Sequence, residues 1–387
     1  MTNKNLTAIV ALLLIPLSGM ATDIYVPSLP ELTRYFVTTP YLAQLTVSAY
    51  LLGYAFSQVF SGVVVDIVGT KRTSVIALFI FILLTIAIIL VPNIYMVCAC
   101  RVLQGISVGF FAVAQRAIMP NLFKDNPAKM HNMINYSLIA WSIGPIIAPV
   151  IGGYLQHFFS WKFSFGFLSC YAFGLWLMIV FFTQESIENR AQLHIAKIKA
   201  SYSTILGSNQ FLLNVLCLSI IYSLAVLFAT LGSFAIQVQL HHSVIFFGYC
   251  LLAMGFTWFI GSLANRFIKR LNYQCKMIIC LWIMIAIYIS AIVFNLYISN
   301  TYIFIGAIII ANIFAGIIFS SCYAVNLSMF PQYAGNAAGL MSAGLIFQLL
   351  VIQTSWQGNY LPVYQIRRKH NSNIATQAIS IITHRPI

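Results

Sequence analysis

Eleven long apolar runs separated by short polar stretches dominate this chain, over residues 6–28, 41–65, 73–92, 95–118, 132–156, 160–182, 211–237, 244–265, 277–298, 302–324 and 334–354. A helix of about 20 apolar residues crosses the hydrocarbon core of a bilayer. In lipid the backbone must satisfy its own N–H and C=O groups, which a helix does internally. Only 7% of the 387 residues are charged, against about 25% in soluble domains, so a soluble enzyme and a disordered chain are both excluded. The fold class is all-α, a polytopic membrane protein.

The net charge of +14 does not point to nucleic acid, because the basic residues sit in short runs between apolar stretches, as topology signals do. With the N-terminus in the cytoplasm, that side receives Lys4, Lys71, Arg72, Lys124, Lys129, Arg190, Lys197, Lys199, Arg266, Lys269, Arg270 and Lys276; the outer side receives Arg34 and Lys162. This asymmetry predicts a cytoplasmic N-terminus. Residues 1–182 form one half, 183–210 a polar and basic cytoplasmic loop, and 211–354 a second half. The tail, 355–387, carries Arg367, Arg368, Lys369 and Arg385 and has no run long enough to return across the membrane. A twelfth helix is expected and missing: either the eleventh run does not span or, the favoured reading, the C-terminus is truncated or frameshifted. The first run has signal-peptide traits in Lys4, Ser18, Gly19 and Ala21 but is expected to be retained.

Between the second and third runs lies Gly62-x-x-x-Asp66-x-x-Gly69-x-Lys71-Arg72, with glycines suited to a tight turn and close helix approach. A weaker echo, Gly261-x-x-x-Asn265-Arg266-x-x-Lys269-Arg270, follows between the eighth and ninth runs, and corresponding loops in two halves suggest a repeat-built transporter. The fourth run carries Arg101-x-x-Gln104-Gly105-x-x-x-Gly109. The fifth carries Gly144-Pro145-x-x-Ala148-Pro149-x-x-Gly152-Gly153, where positions 144, 148 and 152 make a small-residue stripe for close helix contact. Pro145 and Pro149 favour a bend.

On these motifs the chain resembles the major facilitator superfamily over residues 6 to about 350, the three patterns looking like its motifs A, B and C. Thr22-Asp23-Ile24-Tyr25-Val26-Pro27-Ser28-Leu29-Pro30 and Arg116-Ala117-Ile118 look like its bicyclomycin/chloramphenicol-resistance (Bcr/CflA) branch of drug exporters. The resemblance implies two six-helix halves and a multi-pass protein of the bacterial inner membrane. It also implies proton-coupled efflux of small amphiphilic drugs or metabolites, powered by the proton gradient without a cofactor, by a monomer. It makes Asp66 a gate residue meeting the N-terminal end of the eleventh helix near Gly335, where the helix dipole is positive. Ile67 and Thr70 stand where motif A has basic residues, Ala148 stands for a motif C glycine, and the twelfth helix is lacking.

The charges support a coupling site independently. Asp23 is the single acid placed well inside the membrane, and residues 189–387 contain no Asp or Glu. Helical rise puts Asp23 about 8 Å and Arg101 about 9 Å inside the same boundary, where the two can pair across antiparallel helices. Arg116, about 22 Å deeper, is expected to snorkel at the far boundary. Tyr25, Tyr50, Tyr54, Trp141, Tyr222 and Phe228 are candidates for a cavity wall, since rings suit lipophilic, partly polar compounds. His241-His242 lacks further ligands and the eight cysteines lack metal-ligand spacing, so no metal is expected. Gly335-x-x-x-Gly339 is expected to serve packing. No zinc-hydrolase or nucleophile-elbow motif is present, so an enzyme is not expected. Two other functions are consistent with the sequence: a proton-coupled metabolite importer, which the helix-5 stripe argues against, and an inactive remnant, which the missing helix favours.

Overall fold

The computed structural model describes residues 4–123, 126–183, 195–268, 271–298, 301–330, 337 and 339–344. These are helical throughout apart from short connections: α1 (Lys4–Asp23), α2 (Leu29–Tyr35), α3 (Pro40–Val68), α4 (Thr70–Leu90), α5 (Ile94–Leu122), α6 (Pro127–Phe158), α7 (Trp161–Phe182), α8 (Ile195–Leu206), α9 (Asn209–Phe234), α10 (Val244–Ala264), α11 (Tyr273–Ile298) and α12 (Thr301–Met329). Among the described residues, nine segments are long and apolar enough to cross a membrane. The fifth run lies within α6. Most of the eleventh run, the motif position Gly335 and the tail 355–387 lie outside the described residues.

Helix starts follow local chemistry. Thr39, Asn126, Ser208 and Ser243 each accept a bond from the backbone N–H three residues on, satisfying a donor that the first turn leaves orphaned. Pro40 and Pro127 occupy first helical positions, where a missing N–H costs nothing. The first run does not end as one helix at residue 28: α1 stops at Asp23, a 3-10 turn covers Val26–Ser28, and α2 resumes at Leu29. Pro27 and Pro30 deny this stretch two backbone donors, which explains the break. The α9 helix likewise ends in a π-helical turn, Ala235–Gln239. The α6 helix, by contrast, runs through both Pro145 and Pro149.

Gly69 joins α3 to α4 at φ 101° and ψ 159°, a region open essentially to glycine alone. Gly69→Ala should therefore destabilise the protein by about 1–3 kcal/mol, read as a lowered unfolding midpoint in detergent. The motif's other glycine, Gly62, has no described atom within 4 Å of a built Cβ, so it serves no close approach there. Lys71 donates to the carbonyls of Val180 (3.1 Å) and Thr183 (2.7 Å), capping the C-terminal end of α7 with a cation where the helix dipole is negative.

Backbone contact through glycine locks two helix pairs. On α3 and α5, a Cβ at Gly53 would lie 1.9 Å from the Val102 carbonyl oxygen, and one at Gly105 would lie 2.0 Å from that of Tyr50. On α10 and α12, a Cβ at Gly261 would run into the Ile313 carbonyl oxygen and one at Gly316 into that of Trp258. The spacing is the same in both: Tyr50-x-x-Gly53 against Arg101-Val102-x-x-Gly105, and Trp258-x-x-Gly261 against Asn312-Ile313-x-x-Gly316. Gly261 thus belongs inside α10 as a packing glycine, the counterpart of Gly53 and not of Gly62, which is also helical but meets no described atom. The small-residue stripe on α6 packs as its spacing implies. A Cβ at Gly152 would run into the Ile24 carbonyl oxygen and one at Gly144 into that of Pro16, with Ala148 fully buried between them.

One sequence reading needs correction. The segment 183–210, read as a loop, contains the helix α8, with Ser201 and Ile205 buried and Tyr202 donating to the Val59 carbonyl at 2.8 Å. At 12 residues α8 is too short to be a span, and the segment's basic character hid its helical periodicity.

Candidate functional site

Arg101 enters the bundle interior from α5 and is fully buried, at 0% exposure. A guanidinium without water needs acceptors. It donates from Nε to the Thr46 carbonyl (3.4 Å) and from Nη1 to the Ala21 carbonyl (3.1 Å) and Gln104 Oε1 (2.6 Å). Gln104 in turn donates to Thr85 Oγ1 on α4 at 2.7 Å. Aromatic faces close the rest: the Tyr25 ring lies 4.6 Å and the Tyr50 ring 4.1 Å from the guanidinium carbon, within cation–π range. The Tyr50 hydroxyl is anchored on the Ser18 carbonyl (3.0 Å) and the Tyr25 hydroxyl on Thr46 Oγ1 (3.0 Å). Nη2 is the one guanidinium nitrogen left without a partner among the described residues.

This cage revises two expectations. Tyr25 and Tyr50 are wholly buried packing partners of Arg101, inside the wall and not on its surface. Asp23, partly buried at the end of α1, lies within electrostatic reach of Arg101 but makes no direct bond to it or to another described side chain. Helical rise set the two charges at the same height; the direction of each side chain around its axis was not contained in that arithmetic. The backbone carbonyls of Ala21 and Thr46 and the Gln104 amide oxygen take the Nε and Nη1 donors, while Nη2 has no partner among the described residues.

Of the remaining cavity candidates, Tyr54 and Tyr222 are partly exposed, and Tyr222 lies within electrostatic reach of both Asp23 and Tyr54. Phe228 is partly buried, and the side chain of Trp141 lies outside the described residues. Tyr222 leads into a ring cluster that sequence reasoning did not single out: Phe319 at 6.5 Å from Tyr222, Trp258 at 5.3 Å and Tyr323 at 5.9 Å from Phe319. The repeated spacing of Tyr50-x-x-Gly53 and Trp258-x-x-Gly261 was the available signal. Arg116 does not simply snorkel: it is exposed, and its Nη2 donates to the Tyr54 hydroxyl at 3.4 Å.

Asp66, in the last turn of α3, and Arg72 are exposed, and the start of the eleventh run that Asp66 is expected to meet lies outside the described residues. His242 bonds Tyr302 through Nε2 at 2.8 Å.

Contacts between the halves concentrate on α6 and α10. The Pro149 carbonyl oxygen lies 2.9 Å from a Cβ built on Gly248, the Ile146 side chain lies 2.9 Å from one built on Gly255, and the Tyr154 and Tyr249 hydroxyls bond at 2.8 Å. At the face where α1 breaks, Gln237 in the π-helical turn donates to the Pro27 carbonyl at 2.8 Å, and Gln44 donates to the Thr230 carbonyl at 3.4 Å. One such bond is worth about 0.5–1.5 kcal/mol. Gln237→Ala should thus increase the population open at this face by roughly two- to tenfold. Distances between spin labels introduced through Arg34→Cys and Gln239→Cys check this; an unchanged distribution means the bond does not hold the face shut.

Residues 11–349 match the family model of the Major Facilitator Superfamily. Among curated proteins, the chain is 26% identical to multidrug resistance protein D of Escherichia coli over 54% of this chain and 52% of that protein. It is 25% identical to the bicyclomycin resistance protein homolog of Haemophilus influenzae, over 67% of this chain and 65% of that one. The chain thus spans about half to two-thirds of these relatives' length. Among solved structures, a D-xylose-proton symporter superposes with a TM-score of 0.72 at 14% identity, covering 91% of this chain and 89% of that one, and shows the same fold.

Proposed function

From this chain's membership of the Major Facilitator Superfamily, we propose that it exports small amphiphilic drugs or metabolites across the bacterial inner membrane in exchange for protons, with its N-terminus in the cytoplasm. The observation that carries the reading is Asp23: a partly buried carboxylate within electrostatic reach of the caged Arg101 and of Tyr222 in the opposite half. Multidrug and bicyclomycin resistance proteins among the relatives support the substrate class, and the proline–glycine stripe of α6 supports exchange over import.

Protonation removes the charge that Asp23 presents to Arg101, and a substrate entering between the halves meets that same charge. Each ligand stabilises the conformation it binds better, so the two compete for Asp23 and bias alternate states. Arg101 acts here as a fixed counter-charge, held by its own half whichever way the halves are inclined. Asp66, Gly69, Lys71 and Arg72 would close the basic side, and Gln104 and Gly105 would hold Arg101 in register. The halves would move as units bounded by 1–182 and 211–354, joined by 183–210.

The test is dye accumulation in inverted vesicles carrying the protein. An inside-acid gradient should drive uptake of a lipophilic fluorescent dye, and a protonophore should collapse it. Uptake no greater than in vesicles without the protein, or unaffected by the gradient, overturns the reading.

A further inference from the structure

We infer that Gln44 and Gln58 are alternating latches on one face of α3: Gln44 ties the halves together in this conformation, and Gln58 closes on the second half when they incline the other way. The inference rests on the transport reading only in taking the two halves to move against each other. Both amides are buried, at 4% and 3% exposure. They lie 14 residues apart, which on a helix is about 21 Å along the axis and within about 40° of the same direction. Gln44 reaches across the seam, donating to the Thr230 carbonyl of the second half at 3.4 Å. Gln58 also stands against the second half, its backbone carbonyl oxygen 3.2 Å from a Cβ built on Gly339. Yet neither its amide nitrogen nor its amide oxygen has a hydrogen-bond partner.

A primary amide brings two N–H donors and a carbonyl acceptor. Enclosed without partners, it destabilises the arrangement that encloses it. This amide also sits where three parts of the chain meet, because the next carbonyl, that of Val59, accepts the Tyr202 hydroxyl of the connecting helix α8 at 2.8 Å. Any inclination of the halves changes that junction. The middle of α3 supplies the coupling. Gly53, between the two amides, and Gly105 set α3 against α5 backbone to backbone, so α3 moves as a rod with its own half. A rod that inclines about its middle lifts one end from the facing surface as it presses the other end in. Loss of the Gln44 bond at one end thus carries Gln58 towards the second half, where an unbonded amide is exchanged for a bonded one.

The two latches call for opposite responses to the same substitution. Spin labels at Arg34→Cys and Gln239→Cys, with Cys170→Ser and Cys275→Ser removing the exposed native thiols, read the populations open and closed at the face where α1 breaks, in the purified full chain. Gln44→Met should raise the open-to-closed ratio there by about two- to tenfold, the effect of one hydrogen bond. The Thr230 carbonyl keeps the Ser233 hydroxyl as donor at 2.7 Å, so it is not left unpaired. Gln58→Met should lower the same ratio by about fivefold or more, because an enclosed unbonded amide is removed. Closure is readable only from a mixed population, so Gln58→Met is also added to Gln44→Met, whose gain it should reverse. Shifts of the same sign overturn the inference. So does a ratio that Gln58→Met leaves unmoved in both backgrounds, which with a raised unfolding midpoint would make the amide a static burden on the fold. Should methionine at either position prevent folding, leucine takes its place with the same sign expected. Neither substrate nor proton gradient enters the measurement, so its failure is distinct from that of the vesicle assay.

Discussion

Asp23→Asn should abolish gradient-driven dye uptake in inverted vesicles while leaving the protein folded. Asparagine has nearly the shape of a protonated aspartate and cannot release a proton, so the variant is fixed in one of the two forms that exchange requires. Asp23 makes no direct bond among the described residues, so its replacement removes little native structure, and the unfolding midpoint should move little. Residues 189–387 contain no other acid, which leaves the second half without a substitute. Full gradient-dependent uptake by the variant would remove Asp23 from the coupling step. Uptake lost together with folded protein would instead make Asp23 a structural residue.

Gly105→Leu should prevent accumulation of folded protein. A Cβ at this position already lies 2.0 Å from the Tyr50 carbonyl oxygen and 2.8 Å from the Tyr54 nitrogen, and both are backbone atoms that cannot rotate away. Helices α3 and α5 would have to part by more than an ångström, and Tyr50 would leave Arg101 as they did. Overpacking costs typically about 1–3 kcal/mol, and uncovering a buried guanidinium adds about 3–5 kcal/mol, together comparable to the whole stability of many domains. Gly166→Ala in α7, where nothing lies within 4 Å of the built Cβ, is the matched control and should be neutral or slightly stabilising because alanine favours helix. Equal yields and melting behaviour for the two variants would show that the α3–α5 contact is not decisive.

How far the sequence reached depended on what its signals encode. Length and hydropathy report a helix that must satisfy its backbone in lipid, so nine of the eleven runs coincide with described helices long and apolar enough to span. Small residues four apart report close approach, so the α6 stripe packs as read. Direction around a helix axis is another matter. Asp23 and Arg101 were identifiable as intramembrane charges, yet no direct bond joins them among the described residues, where carbonyl oxygens take the Nε and Nη1 donors. Tyr25 and Tyr50 looked like lining residues because the same ring that binds a ligand also covers a buried cation. Trp258, Phe319 and Tyr323 were lost among the 14% of residues that are aromatic, and became visible only through their contacts with one another. The α8 helix was missed because its 12 residues fall between the length of a loop and that of a span.

The paired glycine locks have a mechanical meaning. Backbone-to-backbone contact has no side-chain torsion to absorb displacement, so α3 with α5, and α10 with α12, behave as stiff struts. Compliance must reside elsewhere, and among the described residues the helical geometry changes at the 3-10 turn after α1 and the π-helical turn after α9, which touch through Pro27 and Gln237. Amide hydrogen exchange should follow this division, slow along the struts and fast at the two turns. Force applied between the halves would then be spent in bending that seam, with the Arg101 cage carried along undeformed.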